Sequence, residues 1–147
     1  IKAAQYVRLK AITDPRWVDS MVAQIKRQKF FRWHDAGDIQ SMDHLNKIFE
    51  VCKLTPNTKH WIPTREAQFL NQIKPEAVPK NLIIRMSSHM IDQGPVKFWP
   101  WTSTVKSKKG AWYKGKNICP APQQGGKCGD CRSCWDRNTP NIEYGKH

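Results

Sequence analysis

No run of eighteen apolar residues occurs anywhere in this chain, and no charged-then-apolar leader opens it. Neither a membrane span nor a signal peptide is therefore expected, and the expected setting is the cytoplasm. Because the first residue is Ile1, an upstream segment is expected to have been cleaved or left out. Acidic residues are scarce: 12 against 25 basic ones, a formal net charge of +13 over 147 residues. From Gln93 to Gly129 there are none at all. A balance this basic points to a polyanionic partner, nucleic acid being the commonest, with solubility and an acidic protein partner as the plainer explanation. Cysteine is almost absent too, outside one stretch. Only Cys52 lies elsewhere, on the apolar stripe Leu45, Ile48, Phe49 and Cys52, where a thiol packs as a small hydrophobe.

The exception is CPAPQQGGKCGDCRSC, which gathers Cys119, Cys128, Cys131 and Cys134 into sixteen residues, with Gly125, Gly126 and Gly129 among them. A chain of this length does not need disulfide staples to fold, and nothing places it in an oxidising compartment. The spacing therefore favours a metal over paired disulfides. Structural zinc usually takes two separated C-x2-C pairs. Here three cysteines run as C-x2-C-x2-C and the fourth, Cys119, is remote and followed by Pro120. That is closer to the arrangement ferredoxins use, although the order is reversed. The expectation is a 4Fe–4S cluster, with Zn2+ as the alternative.

The first ninety residues alternate helical and strand-like patterns. Residues 1–12 read as a helix. Asp14-Pro15 starts a second over about 15–28, with Trp17, Val18, Met21, Val22 and Ile25 at helical spacing. KFFRW at 29–33 reads as a strand, followed by a helix that Ser41 caps. His60 and its neighbours at 59–62 form the next strand, and Thr64 is placed to cap a helix carrying Phe69, Leu70 and Ile73. Residues 81–86 form a third and most apolar strand. Such alternation predicts an α/β fold: a partial barrel or small open parallel sheet with crossover helices, over residues 1–92. Residues 93–147 would form a basic, Trp-rich segment and an irregular four-cysteine metal-bound region, the two making one compact unit.

In a parallel sheet the loops after the strands converge on one edge, where ligands bind. The polar residues of those three loops are thus the candidate site. His34 is the candidate for acid–base work, because histidine titrates nearest neutral pH. Asp35 or Asp38 would orient it or bind a cation, Arg65 and Glu66 follow the second strand, and Ser87, Ser88 and His89 the third. Each has a purely structural alternative: Asp38 as a helix cap, or Arg65 paired with Asp35 or Glu66. The basic segment interleaves lysines with aromatics, a pattern that suits phosphate contacts and base stacking, with single strands favoured over duplex. Lys106, Lys108 and Lys109 with Trp99, Trp101 and Trp112 are the candidate nucleic-acid residues. The alternative is a lid that packs its tryptophans on the sheet and leaves its lysines solvated.

RWHDAGDIQS, WIPTRE and the closing CPAPQQGGKCGDCRSCWD together resemble the phage and prophage family named after mycobacteriophage gene product eighty-eight. The resemblance covers nearly the whole chain. It implies kinship with radical S-adenosylmethionine barrels, and a cysteine-containing segment upstream of Ile1. This chain has no C-x3-C-x2-C, and a cluster held by four cysteines has no open iron for a cosubstrate. Three functions stay in view: a metal-cluster protein with a strand-end site, enzymatic on a nucleotide or nucleic acid; a nucleic-acid-binding protein with structural zinc; and a phage structural or host-interaction protein stapled by the metal.

Overall fold

In the computed structural model, residues 2–34, 37–107 and 117–146 are described. The elements are α1 (Lys2–Ala11), α2 (Trp17–Ile25), β1 (Phe30–Arg32), α3 (Met42–Leu54), β2 (Lys59–Thr64), α4 (Ala67–Leu70), β3 (Leu82–Ser87), β4 (Thr102–Lys106) and β5 (Asn141–Gly145). All five strands are parallel and lie side by side in chain order, making a curled open half-barrel. The α/β parallel architecture is as expected, with five strands where the patterning marked three. β4 and β5 escaped because their sequences, TSTVK and NIEYG, are short and mostly polar. Their polar side chains satisfy one another: Thr102 Oγ1 donates to Asn141 Oδ1 at 2.8 Å, and Asn141 Nδ2 donates to Thr104 Oγ1 at 3.1 Å.

Local signals account for most of the boundaries. Ser41 caps α3 through its hydroxyl, which accepts the His44 N–H at 3.0 Å. Asp14 does not cap α2 as expected. Its carboxylate takes the Arg16 N–H and guanidinium, and the helix begins at Trp17. The helix after β2 is a single turn, because Pro75 and Pro79 follow closely. β3 is buried along nearly its whole length, as a central parallel strand should be.

Register sorts the strands into two faces. His60 pairs with Leu82, and both face the helices. His60 Nδ1 accepts from Trp33 Nε1 (3.2 Å), and its Nε2 lies 2.8 Å from Thr55 Oγ1 at the end of α3. Trp17 of α2 packs on Trp33 and His44. Ile25, Leu45, Ile48, Ile62 and Ile84 fill the core, and Cys52 is fully buried there, its thiol pushed up by desolvation. The opposite face carries Trp61, Ile83, Arg85, Ser103 and Tyr144, matched across the strands by their register.

That second face is covered by the cysteine-bearing segment. Trp135 packs edge-on against Phe30 and Trp61 and donates its Nε1–H to the Phe31 carbonyl at 3.0 Å. Arg85 projects from the middle of the most apolar strand and is wholly buried. Its guanidinium donates to the carbonyls of Ser133, Cys134, Asp136, Thr139 and Thr102, at 2.9 to 3.4 Å. Four of those five belong to the segment. Arg137 reaches the other way, to the carbonyls of Val78, Pro79 and Leu82, and lies over the Trp101 ring. Two guanidinium forks thus fasten the segment to the sheet.

Arg85→Met strands several buried carbonyls and should cost at least about 3 kcal/mol in urea unfolding, with new protease cleavage beyond residue 107. A midpoint like that of the parent would contradict this account. Burial depresses His60 and His44 to about 4, so both are neutral in the folded chain. The unfolded chain takes up their protons first, near pH 6.5. Stability should therefore be complete above that pH and fall by up to about 1.4 kcal/mol per pH unit per histidine as pH drops toward 4. Urea midpoints between about pH 7 and pH 4.5 test this, and His60→Gln should flatten the profile.

Candidate metal centre and strand-end groups

The cysteine segment approaches from the free side of β5. Ile118 forms a parallel bridge with Glu143, the Cys119 N–H donates to the Glu143 carbonyl at 2.9 Å, and the Glu143 N–H donates to the Asn117 carbonyl at 3.0 Å. Cys119 is thereby fixed beside the sheet. Pro120 then opens a 3₁₀ turn over Ala121–Gln124 that ends in left-handed Gly125. Gly129 is also left-handed, and a Cβ there would come within 2.6 Å of the Gln124 side chain. Glycine is favoured at that position by its left-handed backbone, since the Gln124 side-chain tip could move aside. A second 3₁₀ turn, Ser133–Trp135, carries Cys134, the stretch that Arg85 grips.

These constraints bring the four cysteines around one small cavity, of about 20 Å³, closed by Trp135 and Ile142 among others. None of them is in a disulfide. Cys134 Sγ lies 3.3 Å from the Tyr144 hydroxyl, and the Cys131 thiol donates to Ser133 Oγ at 3.5 Å. Burial pushes the Cys134 thiol up, against the lowering effects of the Tyr144 hydrogen bond and the Arg85 charge. Among the described residues, no three His, Cys, Asp or Glu side chains are drawn together tightly enough to hold an ion. The donor set is nevertheless four free thiols on one cavity wall. Beside them is a buried guanidinium with no ion pair among the described residues.

Parallel pairing puts the carboxyl ends of all five strands at one edge. Asp38 is the residue most fully engaged there. Its carboxylate accepts from the Ile39 N–H (2.8 Å), the Thr64 hydroxyl (2.5 Å) and the Arg65 N–H (2.8 Å). It ties the first loop to the end of β2. The Thr64 hydroxyl also accepts the Glu66 N–H at 3.0 Å, but it does not cap α4 as expected: the N-cap position is Glu66, without a side-chain cap. Glu66 accepts from Gln68, Ser87 shares a hydrogen bond with Ser103, and the Ser88 hydroxyl donates to the Gly94 carbonyl. Arg65 and His89 are exposed, and Asp35 lies outside the described residues.

His34 differs from these. It has a positive φ of 56°, its Nδ1 is buried with no hydrogen-bond partner among the described residues, and its ring lies 5.5 Å from that of His44. Desolvation lowers its pKa, against the pull of Asp38, so the imidazole is held toward its neutral form. Beside this loop a recess of about 510 Å³ opens between α1 and the chain after β1, lined by Tyr6, Arg8, Gly37, Asp38 and His44 among others.

Of the expected nucleic-acid residues, the two described tryptophans are buried. Trp99 and Trp101 are 4% and 9% exposed and cannot stack on bases. Their indole N–H groups donate to the carbonyls of Ile84 and Arg137. The packing alternative holds for these two. Lys106 is buried on β4, and Lys108, Lys109 and Trp112 lie outside the described residues. The sequence reading passed over Arg85, Tyr144 and Trp135. Arg85 had a signal, as the only charge in the apolar run LIIRM.

The model of the Gene product 88 family matches residues 1–137, which take in β1 to β4, Arg85 and all four cysteines of the cavity. No curated protein and no solved structure matches the chain. On the extent of that match, the chain belongs to the Gene product 88 family of phage proteins.

Proposed function

We propose that this is a metal-centre protein in which Cys119, Cys128, Cys131 and Cys134 supply four thiolates to a 4Fe–4S cluster, with the polar carboxyl edge of the sheet as its substrate side. The observation that carries this is the gathering of four free thiols around one cavity by a bridge to β5, two glycine-dependent turns and the Arg85 fork. Four thiolates on one metal centre leave excess negative charge, and Arg85, which has no carboxylate partner among the described residues, supplies a positive charge beside it. Metal binding would complete the ordering of the loop that carries Cys128 and Cys131. When bound, a cluster supplies one-electron chemistry or a structural clamp.

The size of the cavity favours a second reading. About 20 Å³ suits a single ion better than a cubane core, so zinc is the alternative occupant, and the site would then be purely structural. At the carboxyl edge, His34 is the residue suited to accept a proton. It is held toward its neutral form and its Nδ1 has no partner among the described residues. Asp38 already has its carboxylate committed to three donors and serves as the brace of the loop. A nucleotide or nucleic-acid substrate for that edge is a reading supported by the basic charge of the chain.

Protein purified without oxygen should contain either about four irons with a broad visible absorption band, or about one zinc and no colour. Cys131→Ser should lose the metal and become protease-sensitive beyond residue 117, whereas Cys52→Ser should keep it. Retention of the metal by Cys131→Ser, or a disulfide between any two of the four, would overturn the proposal.

A further inference from the structure

The amino edge of the sheet, opposite the strand-end groups, carries a second recess of about 510 Å³. Its floor is set by the first residues of three strands, Phe30, Lys59 and Leu82, and the cysteine segment adds Arg132 and Trp135. Lys80 and Asn57 complete the rim. The recess thus combines cations, rings and an amide. Lys59, Lys80 and Arg132 are exposed, and none of them is in an ion pair among the described residues. Exposed Lys29 stands next to Phe30, and its carbonyl accepts the Lys59 N–H at 2.9 Å.

Arg132 Nη1 donates to the Gly129 and Cys131 carbonyls at 2.6 and 2.8 Å, and the remaining charges of the recess are committed as well. Asp136, its one carboxylate, accepts from the Asn138 N–H and the Thr139 hydroxyl within its own turn. Arg137 spends its guanidinium on three carbonyls and the Trp101 face. A net positive recess remains. The Arg132 guanidinium lies over the Phe30 ring with its carbon 5.0 Å from the centroid, and half-buried Trp135 packs against the same ring. Such a stack offers flat surface to a planar base, which neither an acidic peptide nor a lipid headgroup would use.

We propose that this recess binds single-stranded nucleic acid, with phosphates on Lys59 and Lys80 and a base against the Phe30–Arg132 stack and Trp135. Its volume lies within the range of about 300–1,000 Å³ typical of ligand sites, enough for one nucleotide unit of a longer strand. Asn57 can meet a base edge with donor and acceptor alike. The site is separate from the lysine- and tryptophan-rich segment at which the sequence pointed, and it does not depend on which metal the cysteines hold.

The test is fluorescence anisotropy of a labelled oligothymidine on the full chain as purified, across a salt series. Lys59→Gln/Lys80→Gln should weaken binding about tenfold at low salt and reduce the salt slope by about 1.4, the counterions of two single-strand phosphates. Arg132→Ala should weaken it with little change in slope. A control, Lys10→Gln/Lys97→Gln, removes the same charge elsewhere and should bind like the parent. Equal weakening by the control would mean diffuse charge alone and overturn the proposal. So would tighter binding of a duplex of the same length, equal affinity for free thymidine monophosphate, or no binding at all.

Discussion

A buried guanidinium is costly unless its donors are satisfied and its charge is answered nearby. Arg85 meets the first condition with five carbonyls, four of them from a segment about fifty residues further along the chain. The placement of the cysteine segment follows from this. Because the fork takes the carbonyls of Ser133 and Cys134, Cys134 sits against the sheet near Tyr144, and Trp135 is delivered to Phe30 and Trp61. The sheet face that no helix covers is then closed. Four neighbouring thiolates would answer the charge as well, so that the fold and the proposed centre support each other.

The two edges of the sheet are chemically unlike. At the carboxyl edge several polar groups are spent on holding loops together, Asp38 above all, while His34 keeps a buried nitrogen with no partner among the described residues. At the amino edge the cations are exposed and stand beside aromatic rings. Parallel strand order makes this separation possible, since it sends every β-to-helix loop to one edge and every return to the other.

What could be read from the sequence follows the strength of its local signals. The apolar run LIIRM, the Ser41 cap and the stripe of α3 are dictated by short-range physics and appear as expected. β4 and β5 were not legible, because their burial depends on polar side chains that pair only with each other. Trp99 and Trp101 misled for a related reason. Tryptophan among lysines is compatible with a binding surface, and only the tertiary fold supplies the Ile84 and Arg137 carbonyls that hold the two rings inside. The cysteine spacing singled out four residues that line one cavity, but gave no hint of the arginine on β3 beside them.

The claim on which this account rests is that the four cysteines share one metal. X-ray absorption at the metal edge of the intact, anaerobically purified protein addresses it directly, because the fine structure reports the ligating atoms. The account predicts a first shell of sulfur alone, at about 2.3 Å, with a further iron shell if the centre is a cluster. A first shell of oxygen or nitrogen, or protein without metal whose four thiols all react freely in the native state, would contradict it.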